Sequence, residues 1–136
     1  MSGRPPSRSS YAARVLSRIL VATDGSPTAT RAVDRAVEVA TTTGASLTVL
    51  SAGPTAQAIV DAEVARLAGA AVPVEPLAAD GDPAAAIVEA AGGGTYDLVV
   101  VGNVGMTGPR RFFTLGSVPN KVSHSLACSL LIVRTT

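Results

Sequence analysis

The chain has 136 residues, of which 47% are hydrophobic and 3% aromatic, and a formal net charge of +1. This length supports one domain with a real core. The near-neutral balance argues against nucleic acid as a partner, because phosphate backbones are met by clustered Lys and Arg.

No apolar run approaches the roughly 20 residues needed to cross a bilayer, so no membrane partner is expected. Cys128 is the single cysteine. It excludes an internal disulfide and favours a reducing, cytoplasmic setting. The start of the chain lacks a continuous apolar core and a clear cleavage site, so a secretory signal is not expected. Residues 1–17 stand apart, with Gly3, Pro5, Pro6, Arg4, Arg8 and Arg14 and no acidic residue before Asp24. Their composition reads as a flexible basic tail, with a partner-touching arm or a transit-like segment as the active alternatives. Residues 18–136 form the expected domain.

Ile19 to Ala22 is a short apolar run without alternation, as expected of a strand covered on both faces. Ser26 followed by Pro27 signals an N-cap and the favoured first helical position. Ala29, Ala32, Val33, Ala36, Val37 and Ala40 keep one helical face, and Gly44 supplies a stop. Leu47 to Leu50 is the second strand. Ala56, Ile59, Val60, Val64, Leu67 and Ala68 then recur at helical spacing opposite Gln57, Asp61 and Arg66.

Val72 to Leu77 has strand character, but Pro73 and Pro76 cannot donate to a central ladder, which makes it an edge. Asp82-Pro83 repeats the cap-plus-proline signal before Ala84, Ile87, Val88 and Ala91, and Gly92-Gly93-Gly94 ends that helix. Leu98 to Val101 is the most uniformly apolar strand and belongs at the centre. Ser117 can cap a last helix through Val118, Val122 and Leu126, with Pro119 in its first turn. Leu130 to Val133 is the fifth strand.

Strands and helices thus alternate, the signature of a single-domain α/β fold with an open parallel sheet and helices on both faces. Right-handed crossovers and an edge third strand predict the order 3-2-1-4-5. The winding reverses between strands 1 and 4, and ligands bind outside the carboxyl ends of strands at such a point. Asp24 follows the first strand and Gly102 ends the fourth.

Two clusters therefore converge on a candidate nucleotide site. Gly102, Gly105 and Gly116 let a backbone approach phosphates, and Ser117 with Val118 presents a helix start that favours anions. Asp24 can accept from ribose hydroxyls or reach a nucleotide-borne Mg²⁺. Ala22, Thr23 and Ala52 flank the base. Each part also has a plainer role: the glycines as a tight turn, Asp24 as a turn residue feeding the next helix. Arg110 and Arg111 read as a solvated pair or a phosphate clamp, and Phe112 and Phe113 as buried under the loop or at a dimer contact. His124 reads as a surface histidine without a catalytic partner, and Cys128 as a buried small hydrophobe.

These stretches resemble the universal stress protein family over residues 18 to 134. The resemblance is carried by Arg18 to Ser26, by Asp97 to Gly102, by Gly116 to Val122 and by Cys128 to Val133. It implies the five-stranded fold of the adenine nucleotide alpha hydrolase-like type and a homodimer through the last strand. The ATP-binding branch carries G-2x-G-9x-G-[S/T], which falls on Gly102, Gly105, Gly116 and Ser117. Ten residues rather than nine separate Gly105 from Gly116, and Val104 replaces a commonly basic or polar residue. The resemblance implies a regulatory ATP-binding protein with at most slow hydrolysis. AMP or cyclic AMP is the alternative ligand, and a nucleotide-independent dimeric module the alternative role.

Overall fold

The computed structural model describes residues 16–103 and 126–135. Eight elements follow in order: β1 (Arg18–Ala22), α1 (Ala29–Thr43), β2 (Ser46–Ala52), α2 (Ala56–Arg66), β3 (Val74–Ala79), α3 (Pro83–Ala91), β4 (Leu98–Gly102) and β5 (Ser129–Val133). All sheet pairings are parallel and the order is β3-β2-β1-β4-β5, as the alternating pattern predicts. The expected helix from Ser117 lies outside the described residues.

The period-2 geometry of the central strands splits the core in two. Ile19, Val21, Leu47, Val49 and Val100 face α1 and α2, where Ala32, Val33, Ala36 and Val60 meet them. Leu20, Ala22, Leu50, Val99 and Val101 face α3, where they meet Ala84, Ile87 and Tyr96. Both faces of β1 are dry, so its sequence shows no alternation. The alanine-rich helix faces let the helices sit close on the sheet.

β3 is an edge, where Pro76 within it and Pro73 just before it are tolerated because neither has to donate. Pro73 takes the Leu47 N–H at 2.9 Å, and Pro76 stands in register with Val49. The strand spans Val74–Ala79, two residues later than its apolar run suggests, because Val72 and Pro73 make the approach. The second helix stops at Arg66, so Leu67 and Ala68 lie beyond it and Ala68 is exposed.

The N-cap of α1 is Thr28, which makes no side-chain cap bond, rather than the expected Ser26, which braces the turn just before it. The Ser26 Oγ accepts the Ala29 N–H at 3.2 Å and its carbonyl accepts the Thr30 N–H at 3.2 Å. Pro27 and Thr28 form a tight turn first, so the regular helix begins at Ala29. The Asp82 carboxylate accepts the Ala85 N–H at 2.9 Å, with Pro83 in the first turn of α3.

The opposite end of the sheet is closed by Asp97. Its Oδ2 accepts the Ser17 N–H at 2.8 Å, the Ser17 hydroxyl at 2.9 Å and the Arg18 N–H at 3.0 Å. Partial burial pushes the Asp97 carboxyl upward, but these donors and the Arg18 charge outweigh it and hold the group below its usual range. The Arg18 guanidinium lies 5.1 Å from the Tyr96 ring centroid, adding a cation–π contact. Among the described residues no helix is long and apolar enough to cross a membrane.

Candidate functional site

β1 and β4 pair in parallel from Ile19 with Leu98 to Val21 with Val100. Carrying that register two residues on sets Thr23 beside Gly102, so the carboxyl ends that carry the two clusters are neighbours. Thr23 is still tied to the sheet, with its N–H donating to the Leu50 carbonyl at 2.9 Å. Past it the chain turns sharply. The Gly25 N–H donates to Thr23 Oγ1 at 3.1 Å, and the Ser26 N–H donates to Asp24 Oδ1 at 2.9 Å. An aspartate that binds the backbone two residues on makes a self-bracing turn. Among the described residues Asp24 Oδ2 makes no bond.

Gly25 has φ +81, and a Cβ built on it would stand 3.1 Å from the Ile59 side chain. Backbone conformation and close approach both require glycine at this point. α2 thereby seats Ile59 directly against the turn that carries Asp24.

A cavity of about 280 Å³ opens over the carboxyl ends of β1 and β2, beside the segment that leads from β3 into α3. Its walls include Ala22, Thr23 and Asp24 from the end of β1, and Leu50, Ser51 and Ala52 from β2. Gly53, Pro54, Thr55 and Ile59 form the turn and first helical residues beyond β2, while Gly81 lies in the turn before α3 and Pro83 opens that helix. Apolar walls with a few polar groups suit a flat heteroaromatic ring bearing a polar substituent, and the volume sits near the lower edge of small-molecule pockets, roughly 300–1,000 Å³.

Four predicted site residues, Ala22, Thr23, Asp24 and Ala52, meet in this cavity. Gly102 is buried at the end of β4. Gly105, Gly116, Ser117 and Val118 lie outside the described residues, as do Arg110, Arg111, Phe112, Phe113 and His124. Ser51, Thr55, Ile59, Gly81 and Pro83 were not foreseen as wall residues. The Gly53-Pro54 pair was the available signal, since such a dipeptide marks a turn immediately after a strand. Cys128 is half-buried rather than enclosed, and desolvation, followed by the charge of Asp97, pushes its thiol upward.

Among the described residues Asp24 is the one carboxylate lining the cavity, and no cluster of His, Cys, Asp or Glu there could hold a metal ion. One free carboxylate oxygen does not make a protein cage for a cation. It does fit Mg²⁺ that arrives on phosphates, because that ion keeps waters and takes only one or two carboxylates.

The family model of the universal stress proteins matches residues 16–58 and 53–134. The chain belongs to the universal stress protein family. Among curated relatives, universal stress protein YxiE of Bacillus subtilis (strain 168) is 30% identical over 149 residues, an alignment covering 88% of this chain and all of the relative. A universal stress protein solved in complex with cAMP is 36% identical with a TM-score of 0.75, covering 90% of this chain and 99% of that one. Protein Rv1636 of Mycobacterium tuberculosis H37Rv is 40% identical with a TM-score of 0.59, covering 90% of this chain and 98% of that one. The family fold is thus the one described above, with the reversal of winding between β1 and β4.

Proposed function

We propose that the protein binds an adenine nucleotide across the β1–β4 switch point and acts by occupancy, as a regulatory protein of the cytoplasm. The observation that carries this reading is the meeting of Ala22, Thr23, Asp24 and Ala52 around one cavity at the carboxyl ends of the strands. The base and ribose occupy that cavity. The free oxygen of Asp24 accepts from ribose hydroxyls or holds a phosphate-borne Mg²⁺. Gly102, Gly105, Gly116, Ser117 and Val118 supply backbone N–H groups to the phosphates, with ATP as the lead ligand.

Cyclic AMP is the second reading, favoured by the 36% identical family member solved with it. A single negative charge asks less of the glycine-rich segment than a triphosphate does. Turnover is at most slow, below roughly 1 s⁻¹, as expected of a regulatory member of this family. β5 supplies a homodimer contact. It is an edge strand in which Ile132 is 39% exposed and Leu130 and Leu131 are half-buried, a template for pairing with a second copy.

Calorimetric titration with ATP, ADP, AMP and cyclic AMP tests the reading. Saturable binding of at least one of them, weakened in Asp24→Ala, is the expected result. An absence of heat with all four overturns it.

A further inference from the structure

One side chain in the cavity over β1 and β2 is enclosed and has nothing to bond. Ser51 is 2% exposed, and among the described residues its hydroxyl makes no hydrogen bond. A serine hydroxyl carries one donor and two lone pairs, and burying it unpaired is costly. Among the described residues no fully sealed side-chain oxygen or nitrogen lacks a partner. The Ser51 oxygen therefore keeps an opening, and the space that Ser51 lines is the cavity.

The sheet sets a second hydroxyl beside it. Ala22 pairs with Leu50, so one residue further on Thr23 stands next to Ser51. Val21 and Val49 both face α1 and α2, and the period of two turns Thr23 and Ser51 to that same side. There α2 contributes Ile59 to the cavity wall. Thr23 Oγ1 already accepts the Gly25 N–H at 3.1 Å, which leaves its own hydrogen to donate. Ser51 can both donate and accept. Two adjacent hydroxyls among the aliphatic walls of Ala22, Leu50, Ala52 and Ile59 suit the polar edge of a flat ring.

We propose that Ser51 is a specificity-determining residue for the base, its hydroxyl bonding the exocyclic amino group of adenine. This rests on the adenine-nucleotide reading and deepens it by naming the side chain that tells one purine from another. In that reading Asp24, just past β1, meets the ribose, and the base extends over the next strand in the cavity, β2. Ser51 is the polar side chain that β2 brings there. The amino group is adenine's one polar substituent, so a hydroxyl that reads the base reads it at that group. An analogue without it strips water from Ser51 and offers no partner in return, and a site built this way rejects it.

The test titrates two probes into the full chain as wild type, Ser51→Ala and Ser51→Cys. They are ATP and the triphosphate of unsubstituted purine riboside, which lacks only the amino group. Both carry the same ribose and triphosphate, so the ratio of their affinities reads the base alone. Wild type is expected to prefer ATP about tenfold, the scale of one hydrogen bond to a buried group. In Ser51→Ala the preference falls to near unity through weaker ATP, while the thermal midpoint stays at the wild-type value because no internal bond is lost. Ser51→Cys, with a weakly bonding thiol of nearly the same size, gives an intermediate ratio.

A wild type without preference overturns the proposal. So does a preference that survives in Ser51→Ala, whether affinities are unchanged or both fall alike. If that variant does not fold, an unchanged ratio in Ser51→Cys overturns it in the same way. Where wild type binds neither triphosphate, the same pair of bases is titrated as cyclic monophosphates and judged by the same ratio. Binding of none of the four defeats the adenine-nucleotide reading itself, an outcome distinct from the others.

Discussion

The two ends of β1 are each held by an aspartate, and the two do opposite things. At the amino end a single oxygen of Asp97 receives three donors, from Ser17 and Arg18. At the carboxyl end Asp24 receives one backbone N–H on Oδ1, with Oδ2 unbonded among the described residues. A carboxylate saturated by its own chain is a structural pin. One that braces its turn with a single oxygen keeps acceptor capacity for something else. The same side chain is thus spent on the fold at one end and, in the proposed function, kept for a ligand at the other.

The sharpest way to break this contrast is at the turn that presents Asp24. Gly25→Val forces a branched side chain into φ +81 and against Ile59. Left-handed strain and overpacking together should cost about 3 kcal/mol, read as a large drop in denaturation midpoint. A stability within 1 kcal/mol or so of wild type would mean the turn is not built around that contact.

Asp24→Ala comes next and should split binding from stability. Adenine-nucleotide affinity falls about tenfold or more, as expected for a lost charge-assisted bond of roughly 1.5–3 kcal/mol. The fold itself loses only the one turn bond, about 1 kcal/mol. Equal losses in both readouts would make Asp24 a second pin.

Asp97→Asn should do the reverse, costing about 1 kcal/mol of stability and leaving nucleotide affinity intact. The sign of its pH dependence follows from the lowered native value. The stabilisation is complete above the unfolded carboxyl value near 3.9 and disappears as pH falls through the lower native value. Denaturant midpoints of wild type and Asp97→Asn should therefore differ at neutral pH and converge in acid. A gap that persists unchanged at low pH would show that charge is not what matters there.

The smallest effect belongs to a residue at neither end. Arg66 bridges α2 to α1 through Asp34 at 3.0 Å and pairs with Glu63 at 2.8 Å; Arg66 and Asp34 are open to solvent, while Glu63 is largely covered. Arg66→Ala should cost roughly 0–1 kcal/mol, weakening further with salt, and leave nucleotide binding untouched. A larger loss would place a third anchor on the helical face.

Much of this was legible in the residues. Pro73 and Pro76 marked β3 as the edge because a strand lacking donors can pair only on one side. Asp82-Pro83 and Ser26-Pro27 marked helix starts because cap chemistry is local and survives without tertiary context. The Ser26 signal announced a helix start but not the cap itself, which falls on Thr28 because Pro27 and Thr28 turn before the helix settles. Ile59 was harder. At helical spacing it looks like any core residue of an amphipathic face, and nothing along the chain says that it meets Gly25. The Ser51 hydroxyl was equally hidden, because a serine near the end of an apolar strand carries no local sign that the fold leaves it without a partner.

Order of elements, edge and centre, and the point where the winding reverses were decided by the sequence, because periodicity, proline and cap residues act over a few positions. Which wall residues share a cavity, which oxygen of an aspartate is consumed, and how Ser51 comes to keep an open hydroxyl were decided only by the folded chain. Those depend on distances between segments that local chemistry does not measure, and they exist only once the sheet has set its register.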